Sequence, residues 1–493
     1  MKTESAGKKV VIVGGGISGL AAAFRLKQLS AGKSVDIELV EAGPRLGGVI
    51  KTEIADQCLL ECGPDSMLTA KPWGVDLMKA LGMENQIIET EKENRRAFIA
   101  GSDCLMPMPE GFRLIAPESI AALAASPCLS LGGKLRAVIE PLVPRHKAMI
   151  GGKLPEDFDE SLYSFVTRRL GKEALDKLAQ PLFSGIYTAD PKTLSMRATM
   201  PQFLEYEAEY GSVIRGLREK QAQSREMQGL PEGVRYSMFV APEKGMESLV
   251  AGLKKNLEDV SLQTGKAVKE VDYLTHEKKW RLSFADGSYC HADAIVLCLP
   301  AKGAAKLLSH LNDKLADLLH SINYASSAVV NFVLERENVL HALDGFGFVV
   351  PANLGRSVLA GSFSSVKFKG RSPANLVVLR AFLGGALFPE LMELSDAQLR
   401  DRAFADLSFY LSIKAPARGL PFREALVSRW NDSMPQYAVG HRQKVEAIGN
   451  EMTLLKGAFL GGAAYTGVGI PDCIQSANQA AQSVWESLFQ SPS

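Results

Sequence analysis

Seven cysteines lie scattered through 493 residues without a single Cys-x-x-Cys, and the closest pair, Cys58 and Cys62, has no histidine nearby. That pattern excludes a zinc ribbon and a disulfide framework, and leaves buried or free thiols in a reducing compartment. Seven histidines show no metal-ligand spacing, so no metal site is expected. A formal net charge of +1 offers no global pull on nucleic acid, and no basic run is interleaved with aromatics. No uninterrupted apolar run reaches transmembrane length, and Met1–Lys9 is polar and short, unlike a secretory leader. The expectation is therefore a cytoplasmic protein. No Ser-His-Asp order or catalytic carboxylate pair stands out either.

What is present is ordinary in bulk and specific in detail. At 46% hydrophobic and 23% charged residues, the chain is too long for one core, so two or three domains are expected. Val10-Val11-Ile12-Val13 runs into Gly14, Gly15, Gly16, Ile17, Ser18 and Gly19. This is the GxGxxG spacing of a dinucleotide site: a tight turn, a close backbone approach to pyrophosphate, and close helix–strand packing. The pyrophosphate would sit on free N–H groups at the helix N-terminus. Glu41 ends a second apolar strand, can accept both hydroxyls of an adenosine ribose, and disfavours a phosphorylated ribose. Ala42 follows, and then Arg45-x-Gly47-Gly48, which allows a second backbone approach to the same cofactor. The combination points to FAD rather than NAD.

The rest of the chain reads as a discontinuous α/β domain with insertions. Cofactor-binding segments are expected at 1–71, 229–300 and 429–493, a mostly helical cap at 72–228, and a sheet substrate domain at 301–428. Val268–Val271, Trp280–Phe284 and the Asp286-Gly287 turn read as a meander, Ala294–Leu299 as a buried strand, and Asp396–Leu411 as a helix. The segment Phe112–Met149, with Lys134, Arg136, Arg145 and Lys147, suits a chamber cap or a peripheral membrane contact; the cap is preferred.

Further motifs are more specific: Glu61-Cys62-Gly63-Pro64-Asp65-Ser66, Pro181-Leu182-Phe183-Ser184-Gly185-Ile186-Tyr187, Met434-Pro435-Gln436-Tyr437 and Gly467-Val468-Gly469-Ile470-Pro471-Asp472-Cys473. Together they resemble the oxygen-dependent, FAD-containing porphyrinogen oxidases, nearest to the Gram-positive bacterial branch. The resemblance spans essentially the whole chain. It implies a two-dinucleotide-binding-domain fold and non-covalent FAD. It also implies six-electron oxidation of a porphyrinogen in haem synthesis, with oxygen as the final acceptor and release of peroxide. Coproporphyrinogen III is the implied substrate, with protoporphyrinogen IX also accepted. Flavin N5 takes the hydride, so no catalytic side chain is nominated.

The implied cofactor contacts are Gly14–Gly19, Glu41, Ala42, Arg45, Gly47, Gly48, Gly63, Pro64, Asp65, Ser66, Val268, Trp430, Val468, Gly469 and Ile470. On local grounds Gly63–Ser66 reads equally as a turn and Trp430 as a core aromatic. The implied substrate contacts are Gly185, Val349 and Phe382, with Lys71 for a carboxylate and Arg96 as its rival. Val349 and Phe382 also fit ordinary strand core, Arg95-Arg96 a solvated pair, and His441 a structural residue. Competing activities are a flavin amine or polyamine oxidase, a carotenoid desaturase, or a non-catalytic tetrapyrrole-binding flavoprotein. A tethering cysteine, frequent in the amine oxidases, is missing from Ala463-Ala464-Tyr465-Thr466.

Overall fold

The computed structural model describes residues 7–490, apart from 32, 110–111, 114–115, 118–124, 227–237 and 415–419. The expected boundary at 228–229 and part of Phe112–Met149 lie outside the described residues.

Five parallel strands form the central sheet, in the order Ser261–Gln263, Val35–Val40, Lys8–Val13, Ala294–Leu297, Ala458–Leu460. Its strands therefore come from three widely separated parts of the chain. Parallel sheets are covered on both faces, and their strands are correspondingly apolar throughout. Val10, Ile12, Ile37 and Val296 pack under helices Ile17–Leu29, Glu247–Asn256 and Ile470–Phe489. Val11, Val13, Ile295 and Leu297 pack on the other side, against Trp280 and Leu282 of the meander and Ala304 and Leu308 of helix Ala301–Leu308. The meander forms as read, from Val268–Leu274, Lys279–Phe284 and Tyr289–Ala292.

A second sheet of seven strands runs Glu424–Pro435, Tyr324–Glu335, Leu376–Gly384, Val358–Phe363, Gly347–Val349, Phe98–Ala100, Leu105–Pro107. One face buries Val330, Phe332, Leu379 and Ala381 against Leu399, Ala403 and Leu407 of helix Asp396–Leu411. Ser395 starts that helix with a capping box to Gln398. The opposite face carries Val349, Ala360, Phe382 and Val329 in one lateral row, set by direct cross-strand pairing.

The reading of 72–228 as mostly helical needs one correction. Phe98–Ala100 pairs in parallel with Gly347–Val349, and Ile87–Glu89 pairs with Phe239–Pro242. Three-residue apolar runs carry no usable period, so they do not reveal which sheet they join. Helix Trp73–Ala80 precedes these strands, and further helices follow at Leu131–Val138, Leu162–Arg169, Gln180–Tyr187, Pro201–Tyr210 and Val213–Glu226.

The cap holds a fully buried charge network. Arg169, with no exposed side-chain area, donates to Glu140 and lies 3.5 Å from Glu207. Glu140 also accepts from the Ser212 hydroxyl and the Val213 N–H at 2.5 and 3.0 Å. Breaking such a network from one side strands a carboxylate away from water. Arg169→Met is expected to cost about 3–5 kcal/mol, whereas Lys172→Met, at the exposed pair with Asp176, should cost under about 1 kcal/mol. Urea midpoints of the two variants check this.

Candidate functional site

At the end of Lys8–Val13 the chain turns on Gly14, whose φ of 109° suits glycine and whose N–H donates to the Val40 carbonyl at 2.8 Å. A Cβ at Gly19 would collide with the Gly14 carbonyl, so helix Ile17–Leu29 can start this close to the strand only with glycine there. Gly47 N–H donates to the Gly15 carbonyl at 2.8 Å, and Gly16 and Gly47 pair as a bridge. A Cβ at Gly16 would meet nothing within 4 Å, and one at Gly48 would meet only the Gly16 Cα, at 3.3 Å. Two glycine loops thus face each other over open space, beside a helix N-terminus that no side chain caps. That is the shape and polarity a pyrophosphate requires.

Glu41 stands at the rim. Its Oε2 accepts from Gly15 N–H at 2.6 Å and its Oε1 from Gly43 N–H at 2.7 Å. Each carboxylate oxygen retains a lone pair for a ribose hydroxyl. Lys266 N–H donates to the Glu41 carbonyl at 2.8 Å, which brings Val268 alongside. Arg45 points at its own loop, donating to the Leu46 and Ile50 carbonyls at 3.0 Å each. Its role in this structure is to shape the Gly47–Gly48 loop.

The next loop continues the same wall. A Cβ at Gly63 would collide with the Val49 carbonyl, and Trp430 Nε1 donates to the Cys62 carbonyl at 2.8 Å. Asp65 lies between Lys367 Nζ at 2.9 Å and Arg380 Nη1 at 3.1 Å. Burial pushes its carboxyl up, but the two cations outweigh that and hold it well below the usual carboxylate range. Gly469 caps helix Ile470–Phe489, with Pro471 in its first turn.

On the chamber side, a Cβ at Gly185 would lie 3.8 Å from both Val349 and Ala360. Since Val349 pairs with Ala360 and Ala360 with Phe382, Gly185, Val349 and Phe382 share one wall. The two expected cations are each already paired with a carboxylate. Lys71 Nζ contacts both oxygens of Asp472, at 2.6 and 2.7 Å. Arg96 is about half exposed and 3.0 Å from Asp344. Sequence reading missed Asp472, Lys367 and Arg380. Only Arg380 had a visible signal, as the one charge in the apolar run Leu376–Leu383. It also missed Glu270, Asp272 and His310, whose ligand atoms lie within 4.8 Å of one another at the surface. The His310–Asp272 hydrogen bond of 3.1 Å accounts for their closeness.

These features define an α/β protein with the glycine cradle of a dinucleotide-binding site. The family profile of flavin containing amine oxidoreductases matches residues 17–485, and the chain belongs to that family. It is 33% identical over 492 residues to coproporphyrinogen III oxidase of Bacillus subtilis, covering 98% of this chain and 100% of the relative. It is 31% identical to human protoporphyrinogen oxidase, covering 97% and 98% respectively. A crystal structure of an Exiguobacterium protein named after protoporphyrinogen oxidase superposes with a TM-score of 0.83 at 30% identity, covering 97% of this chain and 99% of that one.

His441 stacks on Tyr437 at 4.0 Å between centroids and is buried, and burial pushes its pKa down to about 4. In the unfolded chain the imidazole titrates near 6.5, so below that pH the unfolded state takes up the proton first. The stabilisation is complete above about pH 6.5 and is lost as pH falls through about 4, a change of about 3 kcal/mol. Urea unfolding at neutral and mildly acid pH should show a shallower pH slope for His441→Phe than for the parent chain.

Proposed function

We propose that this protein oxidises a porphyrinogen to the porphyrin, with coproporphyrinogen III as its main substrate and protoporphyrinogen IX also used. The carrying observation is the apolar wall of Gly185, Val349, Ala360 and Phe382, to which a cap helix and three strands of the second sheet contribute. Full-length likeness to coproporphyrinogen III oxidases supports the choice of substrate.

The proposed cofactor is FAD, bound without a covalent link, with oxygen as the final electron acceptor. When bound, the flavin supplies the two-electron acceptor for each of the successive oxidations. Gly14–Gly19 and Gly47–Gly48 would hold its pyrophosphate, Glu41 its ribose, and Gly63–Ser66, Trp430 and Val468–Ile470 its ring. Burial pushes the Cys473 thiol, four residues beyond Gly469, up to about 12, so it is no nucleophile for tethering at neutral pH. Phe382 and Val349 would present a flat face to the macrocycle and exclude water from it. Pyrrole N–H protons leave to water, and no side chain is asked to act as a strong base. Lys71 would meet a substrate propionate by exchanging Asp472 for it.

The protein is expected to be yellow and to release its flavin on acid precipitation; flavin retained on the precipitated chain would refute the non-covalent reading. Anaerobic titration with each porphyrinogen should bleach the flavin. Phe382→Ala should raise KM with flavin retained, since a stacking contact is worth about 0.5–1.5 kcal/mol beyond area. Lys71→Glu should cut kcat/KM by roughly tenfold or more, the worth of a charge-assisted contact at about 1.5–3 kcal/mol. The loss should be larger on coproporphyrinogen, with four propionates, than on protoporphyrinogen, with two. The reverse order would remove Lys71 as the selecting cation.

A peripheral membrane contact is proposed for the cap. Leu131, Leu135 and Leu142 are 86%, 66% and 78% exposed on one segment with Lys134, Arg145 and Lys147. No helix among the described residues is long and apolar enough to cross a membrane. Co-sedimentation with anionic vesicles should fall for a Leu131→Ser, Leu135→Ser double variant; equal binding by the parent and variant chains would discount the contact.

A further inference from the structure

Strand Leu376–Gly384 is apolar along its length except at Arg380. That side chain is 1% exposed and lies on the chamber face with Phe382, its guanidinium carbon 5.0 Å from the ring centroid. A buried cation is costly, and an aliphatic residue would fill the same strand position without that cost. Packing therefore does not account for it.

Its hydrogen bond and its ion pair are both with the loop beside the cradle. Arg380 Nη2 donates to the Gly63 carbonyl, and Nη1 lies 3.1 Å from Asp65. Lys367 Nζ approaches Asp65 at 2.9 Å and the Ser66 hydroxyl at 3.0 Å. One carboxylate is thus shared by two cations, and the Lys367–Asp65–Arg380 cluster keeps one positive charge uncancelled. Glu61, the other acid facing Arg380, accepts from the Met246 N–H and the Thr52 hydroxyl, at 2.8 Å each, and its charge is balanced by the nearby Arg371 guanidinium, so the surplus remains one positive charge. Burial raises its carboxyl pKa.

Two polar atoms of this cluster are unused. Asn331 pairs across the strands with Arg380, and its Nδ2 donates to the Glu61 carbonyl at 3.1 Å. Its Oδ1, like Arg380 Nε, is buried with no partner. Orphaned buried polar atoms are uncommon and call for a cause. The loop they stand behind is continuous with the cradle: Gly63 abuts the Val49 carbonyl, and the adjoining Gly48 abuts Gly16.

We propose that Arg380 is a positioning residue for the flavin ring. It fixes the Gly63–Ser66 loop and lends the uncancelled charge of its cluster to the ring, raising the flavin's electron affinity. The proposal rests on the flavin reading of the cradle. Two-electron reduction places negative charge on a flavin ring, and a fixed cation in a low-dielectric wall favours that charge without reorganisation.

The test uses the full flavin-loaded chain with Arg380→Met and Arg380→Lys. Two quantities are read: the flavin midpoint potential, and the Kd for sulfite, an anion that adds to electron-poor flavin rings. Arg380→Met should weaken sulfite binding at least tenfold and lower the potential by about 30 mV per tenfold. Arg380→Lys, which keeps the charge, should recover most of both. A loaded Arg380→Met protein within threefold of the parent in sulfite Kd, at an unchanged potential, would overturn the proposal and leave Arg380 a structural tie. If Arg380→Met sheds its flavin, Lys367→Met decides by the same readings, because it removes charge from the cluster and spares the Gly63 contact. A lowered potential there supports the proposal and an unchanged one overturns it. A parent chain that takes up no flavin would sink the cofactor reading and this proposal with it, whereas loaded but unmoved variants sink this proposal alone.

Discussion

The contact between the Gly19 Cα and the Gly14 carbonyl sets the distance from which the rest of the site is measured. A helix that starts against the turn of the first strand brings its uncapped N–H groups to the open space around Gly16. The Gly47–Gly48 loop then docks by backbone alone, and Gly63 docks on Val49 in the same manner. Side chains are nearly absent from this succession of contacts, so the cradle has little rotamer freedom to lose when a ligand enters.

Charge is used in two different ways in the two insertions. In the cap, Arg168 and Arg169 are shared among Glu140, Glu160 and Glu207, so the carboxylates outnumber the cations and each guanidinium ties several segments together. Behind the cradle, Asp65 is outnumbered by Lys367 and Arg380. The first arrangement favours one packing of helices. The second leaves a field at the place where the chamber wall meets the glycine loops. Lys71, by contrast, is paired one to one with Asp472.

The sequence made the nucleotide half of the protein readable because its constraints are local. GxGxxG, the acid at the next strand end and the Gly-Gly loop each need particular residue types within a few positions, and all stand where they were read. The meander was equally legible from alternation and a turn dipeptide, and helix Asp396–Leu411 forms over the span read for it. The wall was legible only through Gly185, Val349 and Phe382, which the family resemblance supplied. Their grouping depends on register across strands far apart in the chain, and no local pattern encodes that. Phe98–Ala100 was lost among helices for the same reason. The partners of Lys71 and Arg380 lie 401 and 315 residues away respectively, so neither residue showed in advance whether its charge was free or spent.

The central sheet draws its last strand from Ala458–Leu460, and the helix that closes the cradle spans Ile470–Phe489. Both are made more than four hundred residues after the first strand. During synthesis the first strand, its glycine turn and its helix are made early and wait, one edge of Lys8–Val13 unpaired, for Ala294–Leu297, whose own far edge waits in turn for Ala458–Leu460. Unpaired parallel edges of this kind are slow to complete and prone to aggregate. Until those last elements are made the glycine cradle is unfinished, and supply of a ligand once they are in place becomes part of how efficiently the protein reaches its folded state.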